Sequence, residues 1–198
     1  MTYAIIGFGA VGQALAKAFA RKDIDVLVAA RRSPDQLADQ AKAIGARVKP
    51  VSLAEATSAD VVILAMPFSE HGKVADAAAS WEGRIVIDAT NAYGIPLADF
   101  GGLWASAHAA KNYGGARFVK AFNHLPAAKL ALDPAVNGGR RVIFVSSDDP
   151  AALEPVAELT TKLGFAPVSL GTLAESGPLV SAREDHWSPL DFQDLVKV

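Results

Sequence analysis

Short apolar runs alternate along the chain with stretches in which hydrophobic positions recur every three or four residues. The runs fall at Tyr3–Ile6, Asp25–Ala30, Arg47–Lys49, Val61–Met66, Arg84–Asp88, Phe118–Phe122, Val142–Ser146 and Pro167–Leu170, and each has the length of a strand. Between them Val11, Leu15, Ala18 and Phe19 trace one helical face. Ser33 before Pro34 opens a second helix that carries its pattern to Ile44 before Gly45 stops it. Asp149-Pro150 opens another, running to Leu163 with Gly164 as its C-terminal cap. Strands alternating with helices predict an α/β fold with a doubly wound, mostly parallel sheet and helices on both faces. Val61–Ala65 and Ile85–Ile87 are continuously apolar, as strands buried on both sides should be, and belong at the sheet centre. The segment from Ala92 to Gly115 reads as an irregular crossover with one helix near Leu103–Ala110. The core is expected to end near residue 170. From 171 to 198 the α/β rhythm is lost, and this irregular tail is expected to cover one end of the sheet or to contact a second copy in a homodimer.

The first strand leads directly into Gly7-Phe8-Gly9-Ala10-Val11-Gly12. A G-x-G-x-x-G between a strand and a helix points to a dinucleotide site in a Rossmann-type fold. Gly7 permits the tight turn, Gly9 lets a pyrophosphate approach the backbone, and Gly12 lets helix and strand pack closely. The helix N-terminus then offers N–H groups and a favourable dipole to the anion. Three glycines in six residues also occur in ordinary turns, so it is the β-α-β setting that gives the motif its meaning.

Composition narrows the classes. A chain of 198 residues suits one domain spanning 1–198. Hydrophobic residues make up 51% and the net charge is −2, which favours neither disorder nor a nucleic-acid surface. No Cys is present, so disulfides, thiolate metal sites and Cys nucleophiles are excluded. No apolar stretch approaches the roughly 20 residues of a membrane span. A cytoplasmic protein without a membrane or nucleic-acid partner is expected.

Chemistry should gather at the carboxyl ends of the strands, where open α/β sheets bind ligands. The second strand ends in Ala30-Arg31-Arg32-Ser33, where an NAD-binding fold commonly carries an acid for the ribose 2′-hydroxyl. Two guanidinium groups and a hydroxyl suit a 2′-phosphate instead, so NADP is the expected cofactor. The competing reading is a solvated Arg pair with Ser33 as a plain N-cap. Ala65-Met66-Pro67 would turn the chain beneath the cofactor, and Asn91 could bond a ribose or carboxamide or be simple turn chemistry. At the sixth strand, Phe122 could offer a flat apolar wall to a ring, and Asn123 and His124 could orient a substrate. His124 and Lys120 are the nearby proton donors. The other His residues, His71, His108 and His186, stand apart, so no metal pattern is present, and no G-x-S-x-G elbow marks a nucleophile. No catalytic residue or metal ligand is assigned.

These motifs together resemble the NADP-dependent oxidoreductases of the coenzyme F420 (deazaflavin) reductase type, related also to the cytosolic NADPH domain of membrane metalloreductases. The resemblance is carried by GFGAVG (7–12), AARRSP (29–34), ADVVILAMP (59–67), VIDATN (86–91), VKAFN (119–123) and LGFAPVSLG (163–171). It implies that Phe8 to Val11 approach the pyrophosphate, that Arg31 meets the 2′-phosphate, and that Ala121–Asn123 lie at the nicotinamide. Ala30 stands where the family frequently has Ser, and the tail after Gly177 departs from the pattern.

Hydride transfer to a flavin or deazaflavin needs positioning and exclusion of water more than an acid or base. The leading expectation is therefore an NADPH-dependent oxidoreductase whose small-molecule hydride acceptor is planar and flavin-like. A reductase of a small carbonyl or imine would want Lys120 or His124 as proton donor. A non-catalytic NADP-binding module, reporting redox state, shares the same glycines and arginines.

Overall fold

The computed structural model describes residues 1–181 and 190–194. Its main sheet follows the order β10-β9-β6-β5-β4-β1-β2-β3. These strands are β1 Tyr3–Ile6, β2 Val26–Ala29, β3 Val48–Pro50, β4 Val61–Leu64, β5 Ile85–Asp88, β6 Arg117–Ala121, β9 Val142–Ser146 and β10 Ala166–Ser169. All neighbours are parallel except β6 and β9, which pair antiparallel through Lys120–Ser146 and Ala121–Val145. The sequence order reverses between β1 and β4, which is the switch point of a Rossmann-type doubly wound sheet.

Alternation along each central strand explains its continuous apolarity. Ile5, Ile63, Ile87 and Val119 feed one core layer with α1 (Ala10–Arg21), α2 (Pro34–Ile44), α6 (Ala127–Leu130) and α7 (Pro150–Lys162). Ala4, Ile6, Val62, Leu64, Val86 and Phe118 feed the opposite layer, with α3 (Leu53–Ala56), α4 (His71–Ala75), α5 (Ala105–Ala110) and α8 (Leu173–Val180). In α1, Leu15 and Phe19 are fully buried, and each such side chain stabilises the fold by about 1.5–3 kcal/mol. Ser33 closes a capping box with Gln36 at the start of α2, and Gly164 follows α7 at φ +97°, the left-handed turn expected of its cap.

Several boundaries differ from the sequence reading. Asp25 lies before β2, drawn to Arg47 and Lys49 by ion pairs, and Ala30 and Met66 lie beyond their strands. Arg47, Arg84, Pro167 and Leu170 likewise fall outside or at different places in their strands, and the crossover helix begins at Ala105 rather than Leu103. Phe122 ends β6 because its φ is +63°. The tail from 171 onward is not wholly irregular. Thr172 and Glu175 form a reciprocal capping box that starts α8, a signal hidden in the sequence by Gly177 and Pro178 inside the helix. A small hairpin, β7 (Ala135–Val136) with β8 (Gly139–Arg140), turns on Asn137 and Gly138, both at positive φ. His186 lies outside the described residues.

Candidate functional site

The three glycines of the first turn serve three different geometric ends. Gly7 has φ +104°, and a Cβ there would overlap the Ala65 carbonyl; a Cβ on Gly12 would overlap the carbonyl of Gly7. A Cβ on Gly9 would meet nothing within 4 Å. Gly9 is also the N-cap of α1, without a side-chain cap bond and without an acidic residue in the first turn. The first N–H groups of that helix have no intrahelical partner, and open space lies over Gly9.

That space belongs to a crevice of about 640 Å³ bounded by Gly7, Phe8, Gly9, the Ala30-Arg31-Arg32 segment and Ala65-Met66-Pro67. It therefore joins three strand ends that the sequence marked separately: β1, β2 and β4. Ile6, Leu53, Glu70, Lys73 and Val74 complete its wall, and the sequence reading missed the last four because no motif connects short helices to a strand edge. Lys73 is tied to Glu70 at 3.2 Å. Ala10, Val11 and Gly12 sit in the first turn of α1, just behind the crevice rather than on its wall.

The arginines divide their roles. Arg32 donates to the Gln40 side chain at 2.6 Å. Ser33 accepts from the Gln36 backbone N–H at 3.4 Å, so the helix-cap reading of this hydroxyl holds in the structure. Arg31 is exposed on the crevice wall, and among the described residues no hydrogen bond or ion pair occupies its guanidinium.

At β5 and β6 the structure corrects the expected roles. Phe122 is fully buried and packs edge-on against Phe165, ring centroids 6.3 Å apart. Its ring is core and offers no exposed wall. Ala121 is buried likewise. Asn91 and Asn123 bond each other: Asn91 Nδ2 donates to the Asn123 carbonyl at 2.9 Å and Asn123 Nδ2 to Asn91 Oδ1 at 3.1 Å. Asn123 also donates to the carbonyl of Val180 at 2.8 Å. Both amides are thus committed to the structure that closes this end of the sheet, and none of these four residues lines the crevice. His124 is buried beneath Phe144, and burial pushes its pKa down to about 4, which leaves it neutral and a poor proton donor near neutral pH.

The sequence reading set His71 apart, yet it lies in a buried polar network. Its Nδ1 meets Tyr113 Oη and its Nε2 meets Thr90 Oγ1, each at 3.0 Å. Thr90 donates through Oγ1 (2.6 Å) and its backbone N–H (2.9 Å) to Asp88 Oδ1. Asp88 Oδ2 accepts from Ser106 Oγ and Lys120 Nζ, both at 3.0 Å, and Lys120 Nζ donates also to the Thr90 carbonyl. Burial opposes the charge of Asp88, but Lys120, then His71 and Thr90, hold its carboxyl below the ordinary range. Burial lowers the Lys120 pKa, and Asp88 counters it. Burial also lowers that of His71 against the pull of Asp88. Six residues converge here, from α4, the end of β5 and the turn after it, α5, the loop beyond α5 and β6, a gathering that spacing in the sequence does not announce.

Strand order, glycine elbow and crevice at the switch point define a Rossmann-type α/β protein with the architecture of nucleotide-dependent oxidoreductases. Residues 2–92 match the model of the family described as NADP oxidoreductase, coenzyme F420-dependent. A hypothetical protein from Sinorhizobium meliloti is 43% identical, with a TM-score of 0.92 over 98% of this chain and 96% of that one. A structure described as a candidate F420-dependent NADP reductase from Arthrobacter sp. FB24 is 25% identical, with a TM-score of 0.70 over 87% of this chain and 86% of its own. Metalloreductase STEAP3 of Rattus norvegicus is 30% identical over 145 residues, which are 73% of this chain and 28% of that protein. The chain thus spans little more than a quarter of that curated relative. Among the described residues no helix is long and apolar enough to cross a membrane.

Proposed function

We propose that residues 1–198 form one dinucleotide-binding unit that transfers a hydride between NADPH and a planar, flavin- or deazaflavin-like acceptor. The observation that carries this reading is that the open face of Gly9 and Arg31, whose guanidinium has no partner among the described residues, line one crevice. Those are the two features a pyrophosphate and a 2′-phosphate require. In this reading the N–H groups from Gly9 to Gly12 hold the pyrophosphate, with Phe8 and Ala10 flanking it through their backbone. Arg31 takes the 2′-phosphate, with Arg32, Ala30 and Ser33 framing it, and Ala65, Met66 and Pro67 form the floor. When bound, the dihydronicotinamide supplies a hydride. The backbone at Ala121 to Asn123, with Asn91, sets the far end of the site by position rather than by direct stacking. The family description, F420-dependent NADP oxidoreductase, supports a deazaflavin as the first acceptor to try.

Reduction of a small carbonyl or imine is the second reading; the buried Lys120 could serve it as proton donor, as it could a conjugated acceptor. Stopped-flow mixing of the protein and NADPH with deazaflavin, free flavins, ferric chelates, quinones and simple ketones or imines separates the two. Rapid oxidation with deazaflavin or flavin supports the first reading, and oxidation with carbonyls or imines alone supports the second. Tight NADPH binding without oxidation by any of them makes the chain a binding module.

A further inference from the structure

Any acceptor that takes a hydride is left with an extra electron pair, and the described residues include two buried cations that could answer it, Lys120 and Arg141. Arg141 is spent on Asp191 and the carbonyl of Asp133, away from both the crevice and the network. Lys120 is different. An ammonium has three N–H donors; Asp88 and the Thr90 carbonyl take two. The residue also lines a second cavity, of about 20 Å³, together with Thr90, Trp104, Ser106 and Ser176. A space of that size admits one oxygen-sized group.

The position of the cavity matters as much as its lining. Thr90 and Asn91 follow β5, and Lys120 is one residue from the end of β6. In the sheet these strands come directly after β4, whose end forms the crevice floor. The two spaces thus follow one another along a single carboxyl edge, the larger at β2-β1-β4 and the smaller at β5-β6.

We propose that Lys120 is the proton-donating residue of the reaction and that the small cavity receives one conjugated oxygen of the acceptor. The proposal rests on the hydride-transfer reading above. The C4–H bond of the dihydronicotinamide breaks with its electron pair, a new bond to hydrogen forms on the acceptor, and the nicotinamide is oxidised as the acceptor is reduced. The displaced pair comes to rest on the conjugated oxygen, to which Lys120 Nζ gives a proton; water returns a proton to the amine after the product leaves. Asp88 keeps Lys120 charged in a buried place, and Thr90, Ser106 and, through Thr90, His71 keep Asp88 in its rotamer. Asp88 and His71 are positioning residues here.

Two measurements test this, each on parent, Lys120→Met and the charge-balanced Asp88→Asn/Lys120→Met protein, so that no lone carboxylate is left buried. First, lysine labelled at Nζ is observed by NMR while oxidised deazaflavin is added without NADPH. The resonance missing from Lys120→Met should move in the parent; if it stays in place, the cavity holds only water or nothing, and the proposal is overturned. Second, single-turnover oxidation of NADPH by deazaflavin should slow about a hundredfold in both variants, with NADPH affinity within about threefold of the parent. The parent's fall in rate at high pH should be absent from both variants. A folded double variant with the parental rate overturns the role of Lys120 while leaving hydride transfer standing. A parent that oxidises no NADPH with any acceptor overturns hydride transfer, and the Lys120 assignment falls with it.

Discussion

Asn91 and Asn123 clasp each other across the ends of β5 and β6, each amide donating to the other residue at 2.9 and 3.1 Å, while Asn123 reaches on to the last turn of α8 at Val180. Asn123→Ala removes both its bonds and leaves a carbonyl of α8 without its donor. The expected loss is about 1–3 kcal/mol in urea unfolding, with hydrogen exchange accelerated over 176–181. NADPH affinity should stay near the parental value, because the crevice residues lie elsewhere.

Arg31→Ala should weaken NADPH binding roughly ten- to a hundredfold and leave NADH binding unchanged. Isothermal calorimetry with both dinucleotides measures it. Arg32→Ala should cost less, since that side chain already serves Gln40.

Gly9 and Gly12 should separate binding from folding. Gly9→Val places its side chain in open space, so circular dichroism should show an intact fold while NADPH titration shows none of the parental affinity. Gly12→Ala drives a methyl into the Gly7 carbonyl and should lower stability by at least about 1–3 kcal/mol.

His124 makes stability depend on pH in a defined direction. Its folded pKa of about 4 lies below the ordinary 6.5, so the unfolded chain binds the extra proton first. Stability from this residue is complete above pH 6.5 and declines as the pH falls toward 4, by about 3 kcal/mol in all. His71, also held below its ordinary value by burial, adds in the same sense. Urea unfolding of the parent between pH 7 and 4 should trace the decline, and His124→Gln should flatten part of it.

Local signals carried far. The glycine elbow, the Ser33-Pro34 helix start and the doubly apolar centre strands each depend on neighbours in sequence, and the fold follows them. The place of Arg31 on the crevice wall was legible because it follows β2 at a fixed distance from the glycines. The network around Asp88 was not, because positions 71, 88, 90, 106, 113 and 120 meet only after the sheet has formed. Helix α8 was obscured for a local reason: Gly177, which lies where any Cβ would strike the Trp104 indole, reads as a breaker although it is a packing requirement.

The chain divides between α4 and the end of β5. Among the described residues, those on the crevice wall fall between Ile6 and Val74, and those around the Lys120 cavity between Thr90 and Ser181. No described residue is shared, so changes in the second stretch can reshape what sits beside β5 and β6 while the first stretch remains under its own constraints. A chain built on this plan can alter the pocket beside β5 and β6 without touching the crevice at β2-β1-β4, so the two can change one at a time.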